Sequence, residues 1–294
     1  MLRRIELWLL ITCALLRCVR GADDELLMIH QGDLPIVISA PHGGSLSIPD
    51  VPPRKGEGLE SGASGFRVAR DGGTEELALA VAKAIDDRLE GSPTWVISRV
   101  HRRYVDFNRP AAIGVEHPQA LVLHDQYHSA IKDAIRGIRE RQSSGLLVDL
   151  HGQGSSATTV YRGTGNGQTV SGLRERTQEL GHTGPDSLTG LLKNRGWIVH
   201  PDPFDAKEQA GFAGGHIVRS SGSHRADGID AIQLELGANY RKADSREQMA
   251  TELADAIVEF AEKHITEGIH RTPTNTSSAD STTPPPPVAV DSRP

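Results

Sequence analysis

The nine residues from Leu146 to Gly154, LLVDLHGQG, constrain the fold more than any other stretch of the sequence. The apolar run is interrupted only by Asp149 and has glycine on both sides, which predicts a buried strand too short to be a helix. In an open α/β sheet, the carboxyl ends of the strands face the crevice where ligands bind, and His151 stands at this end. Asp149 shares its strand face, so it can hydrogen-bond the imidazole or join the same site.

Three further strand-like runs lead into polar residues in the same way. They cover residues 35–39, 94–100 and 229–236. The first is followed at once by APHGG, whose glycines let the backbone come close to a ligand. A histidine that is merely hydrogen-bonded to Asp149 in the core would explain one such strand end but not four. The polar groups at or just after the other three ends are His42, Arg103, Asn108, Arg109 and Glu235.

Helical patterns alternate with the strands. Strands separated by helices imply a three-layer α/β/α fold whose central sheet is mostly parallel. The Gly- and Ser-rich segment 210–228 is either a flap over a site or a flexible connection. Periodicity predicts helices over 75–89, 117–142, 185–194 and 245–265, and short strands over 158–162 and 197–200.

Both ends of the chain differ from its middle. Residues 1–21 have the layout of a secretory signal peptide, with a pair of arginines and an apolar run over 7–16 that is too short to cross a bilayer. We therefore expect an exported protein, periplasmic or secreted. Residues 272–294 are rich in Ser, Thr and Pro and predict a disordered tail. A single domain over residues 22–271 remains.

Charge and cysteine content limit the kinds of molecule and metal site that the chain can be expected to have. The formal charge is −6, and loss of residues 1–21 removes four arginines and one glutamate, which brings it to about −9. This charge disfavours nucleic acid. Both cysteines, Cys13 and Cys18, lie in the predicted leader, so a metal site elsewhere is restricted to histidine and carboxylate ligands. No other long apolar run is present, and we expect no membrane span after residue 21.

Two histidines and a carboxylate from separate parts of the chain, with a fourth position open, are the ligands that a catalytic zinc needs. The strand ends provide His42 and His151. The carboxylate can come from Asp71, before the first predicted helix, or from Glu75 in its first turn, where complementing the helix dipole is the simpler role. Glu235 is the predicted general base, which would take a proton from water and return it to the leaving amine.

The stretch 101–110 concentrates three arginines and an asparagine after a buried strand. Exposed arginines are ordinarily solvated, but a group of fork-like donors in this place suits capture of a substrate carboxylate. A serine nucleophile is less favoured, because Gly-x-Ser-x-Gly occurs nowhere in the sequence. Zinc is the preferred metal for such ligands in hydrolases, with manganese and iron as alternatives.

Four motifs taken together resemble the N-formylglutamate amidohydrolase family, which is related to the zinc carboxypeptidases and the aspartoacylase group. The motifs are residues 40–44 (APHGG), 106–109 (DFNR), 149–152 (DLHG) and 233–235 (QLE). The resemblance implies the phosphorylase/hydrolase-like fold of the zinc carboxypeptidases and a zinc ion bound by His42 and His151. It also implies that Asn108 and Arg109 bind the substrate carboxylate and that Glu235 is the general base.

The carboxypeptidase pattern places a glutamate three residues after the first histidine, where this chain has Ser45. The third ligand must then come from elsewhere, with Asp71 the first choice and Glu75 the second. The implied reaction is hydrolysis of an amide in a small substrate that carries a carboxylate, and the acyl group stays open.

Two alternatives stand beside this hypothesis. The first is an exported zinc carboxypeptidase or peptidoglycan-peptide amidase, in which the loop over residues 45–64 would form a wall for a longer substrate. The second is a metal-free carboxylate-binding module without catalytic activity. Metal content distinguishes the two enzymes from the binding module.

Overall fold

The computed structural model describes residues 25–59, 65–265 and 268–272. The predicted signal peptide with its two cysteines, and the predicted tail beyond residue 272, lie outside the described residues. Export and disorder of the tail therefore stay predictions. Within the described part of the chain, no helix combines the length and the apolar character that crossing a membrane requires.

The strands and helices predicted from the sequence are present, with ends shifted by no more than three residues. The sheet is formed by β1 Leu27–His30, β2 Ile36–Ala40, β3 Thr94–Ser98, β4 Leu146–Gly152, β5 Thr159–Gly163, β6 Ile198–His200 and β7 Asp230–Leu236. The helices are α1 Thr74–Asp86, α2 Ala111–Gly114, α3 Pro118–Arg141, α4 Ser171–Thr177, α5 Leu188–Asn194, α6 His216–Ser221 and α7 Arg246–His264. The sequence pattern does not indicate β1, α2, α4 and α6, which have four to seven residues each.

The seven strands lie in the order β1-β3-β2-β4-β7-β5-β6. The four central strands β3, β2, β4 and β7 are parallel, whereas β1 is antiparallel to β3 and β5 is antiparallel to β7. The prediction of a mostly parallel sheet is thus confirmed for its centre, with mixed edges. Because β2, β4 and β7 are adjacent and parallel, their carboxyl ends meet at one edge of the sheet.

Helices cover both faces of the sheet, which confirms the three-layer architecture. On one face, α1 and α7 share a core with Ile38, Val148 and Leu234. On the other face, α3 and α6 share a core with Val37 and Leu147. Successive strand residues point to opposite faces, and both faces are apolar. This is why β2 and β4 read as nearly continuous apolar runs.

The long helix α3 supports the segment that precedes it. His124 Nε2 lies 2.9 Å from the carbonyl oxygen of Arg109, and His128 Nε2 lies 2.9 Å from that of Phe107. These two histidines therefore hold the segment that carries Phe107 and Arg109 against α3. One face of α3 is buried throughout and includes Ala120, His124, Tyr127, Ile131, Ala134 and Ile138.

The segment 210–228 corrects the expectation of a flexible connection. It contains α6, whose Ile217 and Val218 are completely buried in the core beneath the sheet. The amide nitrogen of Ile217 donates a hydrogen bond of 2.9 Å to Asn108 Oδ1. A helix of six residues is too short to give a periodic signal, so composition alone suggested a loop.

A buried ion pair joins β5 to the segment that follows β6. Arg162 Nε lies 3.2 Å from Glu208 Oε1, and both side chains are buried. Glu208 Oε2 also accepts a hydrogen bond of 2.8 Å from the Thr164 amide, and Arg162 donates one of 2.9 Å to the His182 carbonyl. Loss of either charged partner would leave a buried charge unpaired, which is costly. The pair therefore fixes the path of the chain before it reaches α6.

Acid is expected to destabilise the fold through His182. Burial, together with the charges of Arg162 and Arg174, lowers the pKa of His182 from 6.5 to about 3. The unfolded chain binds this proton at a higher pH than the folded chain, so the contribution is complete above pH 6.5 and is lost as the pH falls toward 3. At about pH 5 the loss is about 2 kcal/mol, which denaturant unfolding at about pH 8 and about pH 5 measures.

The matched variant is His182→Asn, which keeps a polar side chain that does not titrate. We expect its free energy of unfolding to fall less between the two pH values, by about the same 2 kcal/mol. An equal fall in the variant and the native chain would show that acid acts through other groups.

Candidate active site

Two buried histidines meet at the carboxyl ends of β2 and β4. His42 lies two residues after the end of β2. The glycines after it let the chain pass close to α1, since a Cβ on Gly43 would lie 2.3 Å from the Glu75 amide nitrogen. His151 lies in β4 itself. The two rings are edge to face with centroids 4.9 Å apart, and the residues are only 1% and 2% exposed. The structure thus brings the two predicted histidines together.

An aspartate lies behind each imidazole. His42 Nε2 is 2.7 Å from Asp106 Oδ1, and His151 Nε2 is 2.9 Å from Asp149 Oδ2. The hydroxyl of Ser39 donates to the other oxygen of Asp149. A carboxylate that accepts the Nε2 proton selects the tautomer in which Nδ1 is free to act as a ligand. Both imidazoles are therefore oriented with Nδ1 toward the centre of the site.

Asp71 completes this group. Its Oδ2 lies 3.1 Å from His151 Nδ1 and 3.5 Å from His42 Nδ1. One ligand atom from each of the three residues lies within 4.8 Å of the other two. The turn before α1 places the carboxylate, because the Asp71 amide donates to the His42 carbonyl at 2.9 Å and the Thr74 hydroxyl donates to the Asp71 carbonyl at 2.8 Å.

The three residues fit a divalent metal ion. His42 Nδ1 is buried and has no hydrogen-bond partner in the described part of the chain, an arrangement that costs free energy unless the atom binds a ligand. Two imidazole nitrogens and a carboxylate oxygen form a donor set that catalytic zinc sites use. His42, Asp71 and His151 are the residues that would hold the metal.

The charges around the group also favour a cation. Burial alone would raise the pKa of Asp71, but the imidazoles of His151 and His42 beside its carboxylate outweigh burial and hold the pKa well below its usual range. Burial alone would lower the pKa of His151, but the carboxylates of Asp149 and Asp71 raise it well above its usual value. The surrounding carboxylates therefore stabilise positive charge at this point.

Glu75, the second choice for the third ligand, lies outside the group. It is half-buried in the first turn of α1, where its Oε1 is 3.5 Å from Arg99 Nε. Burial raises the pKa of Glu75. Its position at the helix N-terminus and its arginine partner account for this side chain, so the structure brings Asp71 and not Glu75 to the histidines.

Glu235 stands beside His151 on the neighbouring strand. The register of β4 and β7 pairs the two residues, and Gln233 Nε2 donates to Glu235 Oε1 at 2.9 Å. Burial, partly offset by the charge of His151, raises the pKa of Glu235 to about 7. The residue keeps some exposure, unlike the two histidines. A partly accessible carboxyl group with this pKa can accept and return a proton near neutral pH.

Asn108 and Arg109 lie against the same group. Asn108 Nδ2 is 3.1 Å from His151 Nε2 and 3.2 Å from Gln233 Oε1. Arg109 is 8% exposed, and its Nη1 donates to the Asn108 carbonyl at 2.8 Å. Burial lowers the pKa of the Arg109 guanidinium, and the carboxylates of Asp106 and, to a smaller extent, Glu235 partly offset this effect. Both predicted carboxylate-binding residues therefore lie near the histidines and the predicted base.

The structure does not bring Arg103 to this site. Its side chain is exposed, and its amide donates to His101 Nδ1 at 3.1 Å. The neighbouring Arg102 is buried instead, with Nε and Nη2 each 2.8 Å from Asp106 Oδ2. The turn after β3 decides which of the two adjacent arginines is buried, and their sequence alone does not distinguish them.

Two further residues contact parts of the site that the sequence did not associate with them: Asp106 lies behind His42, and the guanidinium of Arg241 donates to the carbonyls of Leu236 and Gln153. Asp106 stands first in the DFNR motif, two residues before Asn108, and that position was the available signal for it. Its place behind His42 depends on how the segment folds back onto β2. Arg241 lies beyond β7 in no recognised motif, and no signal in the sequence marks it.

A cavity of about 500 Å³ borders the site at Asn108 and Arg109. Glycines and an alanine between residues 211 and 215 line its other side, together with His216 and Arg219. The segment 210–228 therefore borders the site, as the flap alternative expected, while its helix is anchored in the core.

Comparison with known proteins finds similarity in structure but not in sequence. No protein-family model and no curated protein matches the chain. The crystal structure of N-formylglutamate amidohydrolase from Ralstonia eutropha JMP134 matches with a TM-score of 0.53 and 17% identity, over 82% of this chain and 99% of that one. Succinylglutamate desuccinylase from Chromobacterium violaceum matches with a TM-score of 0.41 and 13% identity, over 80% of this chain and 64% of that one.

The first of these matches extends over nearly all of the solved chain and most of the present one. It confirms the fold that the four sequence motifs implied, with a mixed sheet between two layers of helices. This chain therefore has the α/β fold of N-formylglutamate amidohydrolase.

Proposed function

We propose that the protein is a zinc-dependent hydrolase that cleaves an amide bond in a small substrate carrying a carboxylate. The observation that carries this proposal is the convergence of His42 Nδ1, His151 Nδ1 and Asp71 Oδ2 beside Glu235. The fold supports it as well, because the solved structure that shares it is an amidohydrolase.

The roles of the side chains follow from their positions. A zinc ion held by the two histidines and Asp71 would lower the pKa of a bound water to about 7. Glu235 would take a proton from the attacking water and return it to the nitrogen of the leaving amine. Burial raises the pKa of Glu235 above that of an exposed glutamate, which makes its carboxylate a stronger base for the first step. Gln233 holds this carboxylate through its hydrogen bond.

Asn108 and Arg109 would bind the substrate carboxylate. A guanidinium and an amide can donate several hydrogen bonds to one carboxylate, which fixes the substrate in orientation as well as in place. The cavity beside them gives the substrate a route of entry. Arg103 has no part in this proposal, because its side chain is exposed and Arg102 is committed to Asp106.

The size of the cavity favours a second candidate within the same chemistry. Sites for drug-sized ligands occupy about 300–1,000 Å³, and this cavity of about 500 Å³ has room for more than a single amino acid. An N-acyl peptide, as in the carboxypeptidase or peptidoglycan-peptide amidase alternative, would extend from Asn108 and Arg109 along residues 211–215.

Metal analysis of the full chain, combined with an amide-hydrolysis assay, tests the proposed function. We expect about one zinc per chain and release of free amine from N-acyl amino acids that keep their carboxylate. N-formylglutamate and N-acyl dipeptides separate the small substrate from the longer one. A folded chain that takes up no zinc when it is supplied, yet binds these compounds in calorimetry, would instead be the metal-free carboxylate-binding module.

Replacing Arg109 by glutamine should weaken substrate use. Hydrogen bonds to charged groups contribute about 1.5–3 kcal/mol, so we expect kcat/KM to fall about 10- to 100-fold, mostly through KM. Arg103→Gln is the matched control, because it removes an exposed arginine six positions earlier. Steady-state kinetics of both variants measures the difference. Equal losses in the two would place carboxylate binding elsewhere.

A further inference from the structure

One arginine beyond the last strand ties three parts of the site together. Arg241 follows the 3-10 turn Ala238–Tyr240, and its guanidinium donates to the backbone carbonyls of three separate segments. Nε donates to Leu236 at 3.0 Å, Nη2 donates to Gln153 at 3.3 Å, and Nη1 donates to Gly72. A planar guanidinium with donors on three nitrogens can make such a set of bonds, whereas a lysine ammonium cannot span it.

Each of these carbonyls lies next to a residue of the proposed active site. Gly72 follows Asp71, Leu236 follows Glu235, and Gln153 is two residues after His151. The three segments come from the turn before α1 and from the ends of β4 and β7, so they are distant in sequence. One side chain therefore joins the backbones that carry two proposed metal ligands and the proposed base.

Two glycines leave room for this arginine. A Cβ on Gly152 would lie 2.6 Å from Arg241 Cζ, and a Cβ on Gly73 would lie 2.4 Å from the Arg241 carbonyl oxygen. Gly73 also has φ of 89°, a conformation that glycine adopts without strain. The amide of Gly152 donates to Asp71 Oδ2 at 3.1 Å. The backbone around Asp71 and His151 is thus packed closely around the arginine.

We propose that Arg241 is a positioning residue that sets Asp71, His151 and Glu235 in their relative places by holding the three backbone segments. This inference rests on the proposed function, since it assumes that these three residues act together. Arg241 itself needs no contact with the substrate. Because its bonds go to carbonyls, its loss would shift ligands and base without removing any group that reacts.

The test uses two variants that disturb the same contact from opposite sides. Arg241→Gln removes the guanidinium, while Gly152→Ala keeps it but places a methyl group only 2.6 Å from Cζ, so the guanidinium must move. Arg195→Gln is the matched control, because Arg195 is a part-buried arginine that donates to the Leu191 carbonyl at 3.0 Å and to Glu259 at 2.7 Å, away from the site.

We expect both site variants to bind zinc about 10- to 100-fold more weakly, as happens when groups that orient metal ligands are lost. Their kcat should fall by about 10- to 100-fold with little change in KM, because the reacting groups are misplaced while the substrate contacts remain. A third variant, Arg241→Ala, leaves space for a small cation, and free guanidinium at a concentration that does not denature the chain should restore part of its activity. The control should match the native chain in every measurement.

Amide hydrogen exchange of the metal-free protein separates this inference from the proposed function. In both site variants, the segments around residues 71–73, 151–153 and 235–237 should exchange faster than in the native chain, whether or not the native chain hydrolyses amides. A native chain without zinc or activity would refute the proposed function and leave the exchange result to decide the role of Arg241. Unchanged exchange in Arg241→Gln, or native zinc affinity and kcat, would overturn the role of Arg241.

Discussion

Replacing Glu235 by glutamine is expected to abolish turnover while zinc stays bound. Glutamine has nearly the same shape but cannot accept the proton of the attacking water, and general bases contribute about 10²- to 10⁴-fold to the rate. The carboxyl group of Glu235 is not among the three converging ligand atoms, so the metal content should be that of the native chain. Rates with saturating substrate, measured together with zinc content, test both parts.

Glu75→Gln serves as the control for this experiment. Glu75 is also a half-buried glutamate near the site, yet it pairs with Arg99 and lies outside the metal group. The control should keep its rate to within a few-fold, as expected for a substitution away from the reacting groups. Full activity in Glu235→Gln would mean that another group is the base.

The second large effect is loss of the metal when either histidine is replaced. His42→Ala and His151→Ala each remove one of the three proposed ligands, and the alanine variants leave Asp106 or Asp149 buried without its imidazole partner. We expect zinc content to fall close to zero after dialysis, and activity to fall with it. His264→Gln on α7 removes a histidine whose Nε2 lies 3.0 Å from the Asp186 carbonyl oxygen and whose ring packs on Phe260. This variant should keep its zinc.

The aspartates behind the histidines provide a graded version of the same experiment. Asp106→Asn keeps the size of the side chain but weakens its hold on His42 Nε2. Such outer partners change metal affinity by about 10- to 100-fold, so this variant should bind zinc measurably and more weakly than the native chain. Competition with a chelator gives the affinities.

For the two alanine variants, the contradicting outcome is that both retain zinc. That result would place the metal at residues other than His42 and His151.

The sequence by itself determined the main strands and helices of the fold and three residues of the candidate site. Apolar runs of five to seven residues and helical periods are local properties of the chain, and they predicted β2, β4, β7, α1 and α3 within a few residues. Because strand side chains alternate in direction and the parallel strands end at one edge, His42, His151 and Glu235 were expected to meet there. These three residues do lie together in the structure.

Only the tertiary structure decided which side chains surround them. Asp71 and Glu75 both lie close to α1 in sequence, and the turn that binds the Asp71 amide to the His42 carbonyl selects Asp71. Likewise, the fold of the turn after β3 buries Arg102 and exposes Arg103. These outcomes depend on where loops from different strands cross. The periodicity of a single segment does not predict where that happens.

Sequence analysis did not identify Arg241 for the same reason, because its contacts depend on where separate loops meet. Its three partners are backbone carbonyl oxygens, which every residue type has, so no residue type in the sequence indicates these bonds. The residues next to Arg241 in sequence form no recognised motif. Strand order brings the ends of β4 and β7 and the turn before α1 around it. The apolar pattern along the chain therefore determined the strands and helices. The order of the strands and the paths of the loops determined which side chains come into contact.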